Sequence, residues 1–265
     1  MTVKQFSRSM ALAIAAVLVA ASLYAAQTQT SPQAIKVKQP AIGETTASSG
    51  SCNTFYGTDP TQNTGSFNSF FGQYSGSDNT SGLQNSFFGY DAGHHNQSGK
   101  ENAIFGSAAG FVNDASFNSF FGKEAGWSNQ QGTNNAFFGW HSGHNNTTGS
   151  GNVFIGAQAA NAIHTESFNT FIGYRSDGST GITNATALGA NALVTQSNSV
   201  VLGNQANVGI GTTAPKAKLQ VELGDVYIKS QNSGVILRAT DGATCFRITV
   251  NNAGSLKATA LPACP

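Results

Sequence analysis

The sequence predicts an all-β protein: a parallel β-solenoid of about ten coils, followed by a small β-hairpin-rich C-terminal segment. Three observations carry this. A pentad of the form Asn-small-Phe-Phe-Gly recurs along the middle of the chain, from Asn68 to Asn169 at spacings of 17, 17, 16, 17, 17 and 17 residues. The residues between copies are rich in Gly and Asn, which supply the positive backbone angles that tight corners need. Only 9% of residues are charged, against about 25% in an ordinary globular domain.

Taken in order, the chain opens with a targeting segment. Lys4 and Arg8 precede an apolar run from Met10 to Tyr24, and Ala25 and Ala26 supply small residues for cleavage. Residues 1–26 are expected to be a signal peptide, so the chain is exported, to the medium or the cell surface. No later stretch is long or apolar enough to cross a bilayer as a helix. Residues 27–51 are rich in Gln, Thr, Ser, Ala and Pro and lack aromatics. They read as a disordered linker, because they have too little apolar surface to offset their ordering entropy.

Residues 52–206 hold the repeats. The copies begin at Asn53, Asn68, Asn85, Asn102, Asn118, Asn135, Asn152 and Asn169, with degenerate copies Asn184 to Gly189 and Asn198 to Gly203. A short aromatic run bounded by Asn and Gly reads as a strand. Seventeen residues are too few for two helices and a turn. They suit one coil: a strand, a corner, a second short extended piece and a return. A single copy cannot offset the ordering of its backbone, so stability must come from stacking. Stacked coils lie about 4.8 Å apart. Asn68, Asn85, Asn102, Asn118, Asn135, Asn152 and Asn169 then form a side-chain ladder, and the apolar pairs form columns. The expected core is Phe70, Phe71, Phe87, Phe88, Ile104, Phe105, Phe120, Phe121, Phe137, Phe138, Phe154, Ile155, Phe171 and Ile172. Side chains alternate across a strand, so Asn68 and Phe70 point one way and Ser69 and Phe71 the other. Only one of the two aromatic columns fits inside a narrow coil. The other is expected to pack against a second copy of the chain, since a long exposed stripe of rings is an aggregation hazard.

The copy Asn198-Ser199-Val200-Val201-Leu202-Gly203 resembles the head repeat of trimeric autotransporter adhesins of the YadA-like type. The 14-residue spacing from Gly189 to Gly203 is similar to that repeat, and the 17-residue copies resemble a longer aromatic variant. Residues 207–223, with Asn207-Val208-Gly209-Ile210-Gly211-Thr212 and Lys218-Leu219-Gln220-Val221, resemble the connector of tail-fibre-like proteins. The resemblance covers about residues 53–223. It implies a left-handed parallel β-roll, a homotrimer and an adhesive surface fibre.

Residues 224–265 form the small C-terminal β domain. Val226 to Lys229, Val235 to Arg238, Phe246 to Val250 and Ser255 to Thr259 read as strands, with Asn251-Asn252-Ala253-Gly254 as a hairpin turn. Cys245 and Cys264 flank this hairpin and are expected to form a disulfide in an oxidising compartment. Cys52 remains, either free or bridging protomers.

The sequence offers no catalytic constellation, and we expect no enzyme, cofactor or metal. A formal net charge of +1 gives no footprint for nucleic acid. His94 and His144 share one column but lie three coils apart, too far to share an ion within one chain. Asn207 to Gly211 has close glycines without a βαβ context and reads as a turn element. Tyr74, Tyr90, Trp127, Trp140 and Tyr174 follow motif glycines and are candidate contacts for a glycan or extracellular-matrix ligand; they equally suit a corner-capping role. The sequence thus predicts a structural or adhesive surface protein, with a tail-fibre-like carbohydrate-binding module as the alternative.

Overall fold

A computed structural model describes residues 52–57, 63–230 and 233–265. The signal-peptide and linker readings, residues 1–51, lie outside the described residues. Among the described residues there is no helix, and so none long and apolar enough to cross a membrane. The chain divides into two compact units that meet in sequence between Val201 and Leu202.

The first unit is a parallel β-solenoid. Its strands are β1 (Thr54–Gly57), β2 (Ser69–Gly72), β3 (Ser86–Phe88), β4 (Ala103–Phe105), β5 (Ser119–Phe121), β6 (Ala136–Phe138), β7 (Val153–Ile155), β8 (Thr170–Ile172), β9 (Asp177–Gly178), β10 (Thr186–Leu188), β11 (Leu193–Val194) and β12 (Val200–Leu202). One ten-stranded sheet runs β1-β2-β3-β4-β5-β6-β7-β8-β10-β12. Like residues pair with like: Phe70 with Phe87, Phe87 with Ile104, Ile104 with Phe120. The pentad is therefore the strand, and its repetition fixes the register.

Alternation decides what each strand buries. Phe70, Phe87, Ile104, Phe120, Phe137, Phe154 and Phe171 are buried as one interior column. Within it, ring centroids of Phe70 and Phe87 lie 4.8 Å apart, and those of Phe137 and Phe154 lie 4.7 Å apart. The opposite wall is small: Ser75, Ala92, Ala109, Ala125, Ser142 and Ala159 are all buried. The other half of the expected core is not core. Phe71, Phe88, Phe105, Phe121, Phe138, Ile155 and Ile172 lie on the outer face, half-buried or exposed, because a coil this narrow has room for one ring per turn.

The Asn ladder runs inside the coil. Each Asn accepts the next copy's backbone N–H at its Oδ1, as in Asn85 N to Asn68 Oδ1 (2.9 Å) and Asn135 N to Asn118 Oδ1 (3.0 Å). Each Nδ2 donates to a backbone carbonyl at the return of the next coil, as in Asn68 to Gly82 O (2.9 Å) and Asn135 to Gly149 O (2.8 Å). The ladder ends where Asn169 Oδ1 accepts the N–H of Ala185 (3.0 Å). In the two degenerate copies the Asn therefore sits one position early: Ala185 takes the ladder place, and Asn184 and Asn198 pair with each other outside it (2.9 Å).

A second ladder lies across the interior, in Asn63, Asn79, Asn96, Asn113, Asn129 and Asn146. Asn79 donates to Asn63 Oδ1 (2.8 Å), Asn96 to Asn79 (3.0 Å), Asn129 to Asn113 (2.7 Å) and Asn146 to Asn129 (2.7 Å). In the next coil Ile163, also buried, faces inward. Among the described residues, the buried side-chain atoms without a hydrogen-bond partner are Asn63 Nδ2 and Asn146 Oδ1, the two ends of this ladder.

The return of each coil is mostly a run of turns rather than the expected second extended piece; β9 and β11, paired in parallel, are the exception. The physical reason is left-handed backbone. One column of left-handed residues lies two places after the motif Gly: Tyr74, Asp91, Ala108, Glu124, His141, Gln158 and Arg175, with φ between 53° and 60°. Another lies directly before the ladder Asn, including Phe67, Phe117 and Phe168 at φ 61°, 63° and 61°. A left-handed non-glycine residue costs about 1–2 kcal/mol, so the stacked ladders hold these corners against local preference. The motif glycines are more constrained. Gly72 has φ +135°, and a Cβ there would stand 2.3 Å from the Gly89 carbonyl oxygen of the next coil. No other residue fits that approach.

The second unit begins with β13 (Val208–Ile210) and β14 (Leu219–Val221), paired in parallel. Residues read as a turn element at Asn207 to Gly211 thus contain a strand, since Val208 and Ile210 find a ladder partner. An antiparallel sheet follows: β15 (Val235–Arg238), β16 (Cys245–Val250) and β17 (Leu256–Ala260). Val226 to Lys229, expected as a strand, is not one; the antiparallel sheet consists of β15, β16 and β17, and this segment joins neither of its open edges. The Asn251 turn closes by Gly254 N–H donating to Asn251 O (3.0 Å). Cys245 and Cys264 are bonded, and Cys52 is an exposed free thiol.

Candidate functional site

Two surfaces of the solenoid have the organisation of a site. The first is the outer face of the ten-stranded sheet. Phe71, Phe88, Phe105, Phe121 and Phe138 stack there with centroid separations of 4.7, 4.7, 4.7 and 4.8 Å. Ile155, Ile172 and Leu188 continue the column through the paired strands. Its neighbours on the same face are small: Ser69, Ser86, Ala103, Ser119 and Ala136. The result is a continuous apolar ridge beside a row of small residues, with no charge on either column. Stacking of rings shields their flat faces but leaves their edges to water.

The second surface is the corner after the motif Gly. Here the candidate aromatics do not form one patch. Tyr90, Trp140 and Tyr174 occupy the first place after the motif Gly and are exposed, but they are separated by coils that carry Ser107, Lys123 and Ala157 there. Tyr74 occupies the next column and meets Tyr90 edge to face at 6.0 Å. Trp127 lies three columns further on, half-buried in a stack with Phe111 (5.5 Å) and His144 (5.4 Å). Most of these rings are thus packed on their neighbours along the stack, as corner caps. The Arg175 guanidinium covers the Tyr174 ring at 5.2 Å. Asp91, with burial adding to it, raises the Tyr90 phenol above its ordinary range.

His94 and His144 do lie at opposite ends of one stack, His94, Phe111, Trp127, His144, and are not near one another. Each instead belongs to its own cluster with residues of neighbouring columns, which the sequence reading missed. His94, His95 and Asp78 form one; His141, His144 and Glu124 form the other. In the first, His95 Nδ1 lies 2.5 Å from Asp78 Oδ2, and His94 Nδ1 lies 2.9 Å from Asp91 Oδ1. In the second, Glu124 Oε2 lies 2.6 Å from His141 Nε2 and 3.7 Å from His144 Nε2, while Oε1 takes Lys123 Nζ at 3.2 Å. Burial alone would raise the Glu124 carboxyl. The Lys123 hydrogen bond and the positive charges of His141, Lys123 and His144 outweigh it and hold Glu124 below its ordinary value. The spacing that carried the signal was 17: Glu124 and His141 are one coil apart in the left-handed column, and Asp78 and His95 are one coil apart in another.

A third carboxylate acts structurally. Glu166 Oε2 accepts the N–H groups of His164 (2.7 Å) and Thr165 (2.8 Å), and Oε1 accepts that of Gly181 (2.7 Å). It ties the return of one coil to the next where the second Asn ladder has ended.

The fold and these surfaces define the class: a parallel β-solenoid repeat protein with an apolar outer ridge and polar, ring-capped corners. Comparison with protein-family models, with curated proteins and with solved structures finds no match.

Proposed function

We propose that the chain is a secreted or surface-exposed structural and adhesive repeat protein that works as a homo-oligomer, three copies packing their outer ridges together. The observation that carries this is the ridge itself. Five stacked Phe rings and their aliphatic continuation lie on the outside of a coil whose interior is already full. A continuous apolar stripe of this length marks an interaction surface. Its regular repeat, set by register pairing, suits a second copy of the same repeat better than a globular partner. The resemblance of the shorter C-terminal copy to adhesin heads, and the apolar segment at residues 10–24, support export and assembly as a fibre. Once the ridges are covered, the corners remain free to contact a glycan or matrix protein.

The adhesive part is tested by offering the purified chain to immobilised matrix proteins and to a glycan array. Saturable binding is expected. Absence of binding at micromolar concentration to every surface would refute it. The carbohydrate-module reading is favoured by one observation, the exposure of Tyr90, Trp140 and Tyr174 in one column. Loss of glycan binding in Trp140→Ala, with matrix binding unchanged, would select it.

A further inference from the structure

We propose that Glu124, His141 and His144 form a binding site for a divalent late transition-metal ion, zinc being the reference, on the outer corner of the solenoid. Glu124 and His141 are stacked neighbours in the left-handed column, with φ 57° and 55°, so one coil pitch separates them. His144 follows His141 by three residues round the same corner, and the two rings lie 4.7 Å apart. The three ligand atoms fall within 4.8 Å of one another. Tetrahedral zinc with bonds of ~2.0–2.1 Å places its ligand atoms about 3.4 Å apart. The separations of 2.6 and 3.7 Å from Glu124 Oε2 bracket that value. For those two separations the change an ion requires is under about 1 Å, within the reach of side-chain rotation.

The supporting shell points the same way. His144 Nδ1 is 3.0 Å from Asn145 Oδ1. The Asn145 amide is itself oriented, because its Nδ2 donates to the Asn161 carbonyl at 2.8 Å. This presents Asn145 Oδ1 to His144 Nδ1 as an acceptor, and Nε2 is the nitrogen that faces Glu124. A ligating His whose other nitrogen donates to a fixed acceptor is the usual arrangement at metal sites. Trp127 lies flat on His144 and Trp140 packs against His141 at 4.4 Å, which restricts both imidazoles. Side-chain exposures of 23–27% leave the site sheltered yet reachable. Two imidazoles and one carboxylate suit zinc, copper or nickel rather than calcium or magnesium, which require oxygen ligands. Lys123 stays on Oε1 and does not occupy the ligating oxygen.

The Asp78, His94, His95 cluster is the natural control. Asp78 and His95 there are more exposed, at 41% and 42%, so an ion would be held by side chains less restricted by packing. The experiment uses the full, untagged chain. Both tryptophans of the chain belong to the proposed site, so copper(II) should quench nearly all intrinsic emission saturably. Zinc competition against a chromogenic chelator should give one ion per chain, and cobalt(II) should develop the d–d absorption of a tetrahedral nitrogen and oxygen site. Glu124→Gln, His141→Asn and His144→Gln should each weaken zinc by roughly tenfold or more, and Asn145→Ala by roughly tenfold. Asn is chosen at 141 because it tolerates the left-handed backbone. Asp78→Asn with His95→Gln should leave affinity unchanged. Failure of wild-type chain to bind zinc overturns the proposal. So does zinc binding that survives the triple Glu124, His141, His144 variant, or that is lost in the Asp78, His95 variant instead.

Discussion

Replacing Asn118 by Ala removes one rung of the inner ladder, and the structure says what each of its atoms was doing. Nδ2 donates to Gly132 O (2.8 Å) and Asn113 Oδ1 (3.1 Å). Oδ1 accepts the N–H of Asn135 (3.0 Å). Both acceptors have a second donor, since Asn129 Nδ2 bonds Gly132 O at 2.8 Å and Asn113 Oδ1 at 2.7 Å. Only the Asn135 N–H is stranded. Two lost hydrogen bonds at about 1 kcal/mol each, with about 1–3 kcal/mol for one buried unpaired amide, predict a loss of about 3–5 kcal/mol. Asn118→Asp separates the contributions. It keeps an acceptor for Asn135 but presents a buried carboxylate to two oxygens. Burial raises the folded-state pKa of such an acid above its unfolded value. Its penalty is therefore full at neutral pH and recedes as pH falls through the folded value. Urea unfolding followed by far-ultraviolet circular dichroism measures both variants, with midpoints compared directly because a repeat array need not unfold in one step. A loss below about 1 kcal/mol for the Ala variant, or an Asp variant as stable as wild type at neutral pH, would refute the ladder reasoning.

Further outcomes follow from the same geometry. Phe120→Ala, in the filled interior, should cost about 3–5 kcal/mol, whereas Phe121→Ala on the half-buried outer ridge should cost a single chain distinctly less and weaken association; equal losses in unfolding midpoint would contradict the assignment of faces. Ala108→Gly relieves a left-handed alanine at φ 53° and should stabilise by roughly 0.5–1 kcal/mol in thermal unfolding, while Gly89→Ala, whose Cβ would meet the Gly106 carbonyl oxygen at 2.5 Å, should fail to form the native stack. At Glu166, burial acts to raise the carboxyl, but the N–H groups of Gly181, Thr165 and His164 outweigh it and hold the pKa low. Its stabilisation is therefore present above the ordinary Glu value and is lost as pH falls through the folded value; the melting-temperature gap between wild type and Glu166→Gln should close on acidification, and a gap independent of pH would contradict this.

What the sequence made legible was everything set by the repeat within one column. Pentad identity gave the strand, the near-constant spacing gave the register, and alternation separated Phe70 from Phe71. What it hid depends on contacts between different columns. The second Asn ladder looked like Asn-rich turns, because Asn79 or Asn96 has the composition of a corner until the coil closes and points it inward. The degenerate copies misled by one place, since Asn184 and Asn198 match the motif letter but occupy the left-handed position before it. The His clusters escaped because alignment of like positions found His94 with His144, whereas Glu124 meets His141 from the next coil and His144 from three residues on. A three-coil periodicity also went unseen: Phe67, Phe117 and Phe168 recur before the ladder Asn in every third coil, all exposed.

The claim on which the functional account stands is that the outer ridge is hidden by other copies of the chain. Sedimentation equilibrium of the purified protein tests it most directly. Wild type should show three chains per particle, and a Phe105→Lys, Phe121→Lys double variant should sediment as a folded single chain. A wild-type particle of one chain mass over the whole accessible concentration range would contradict it.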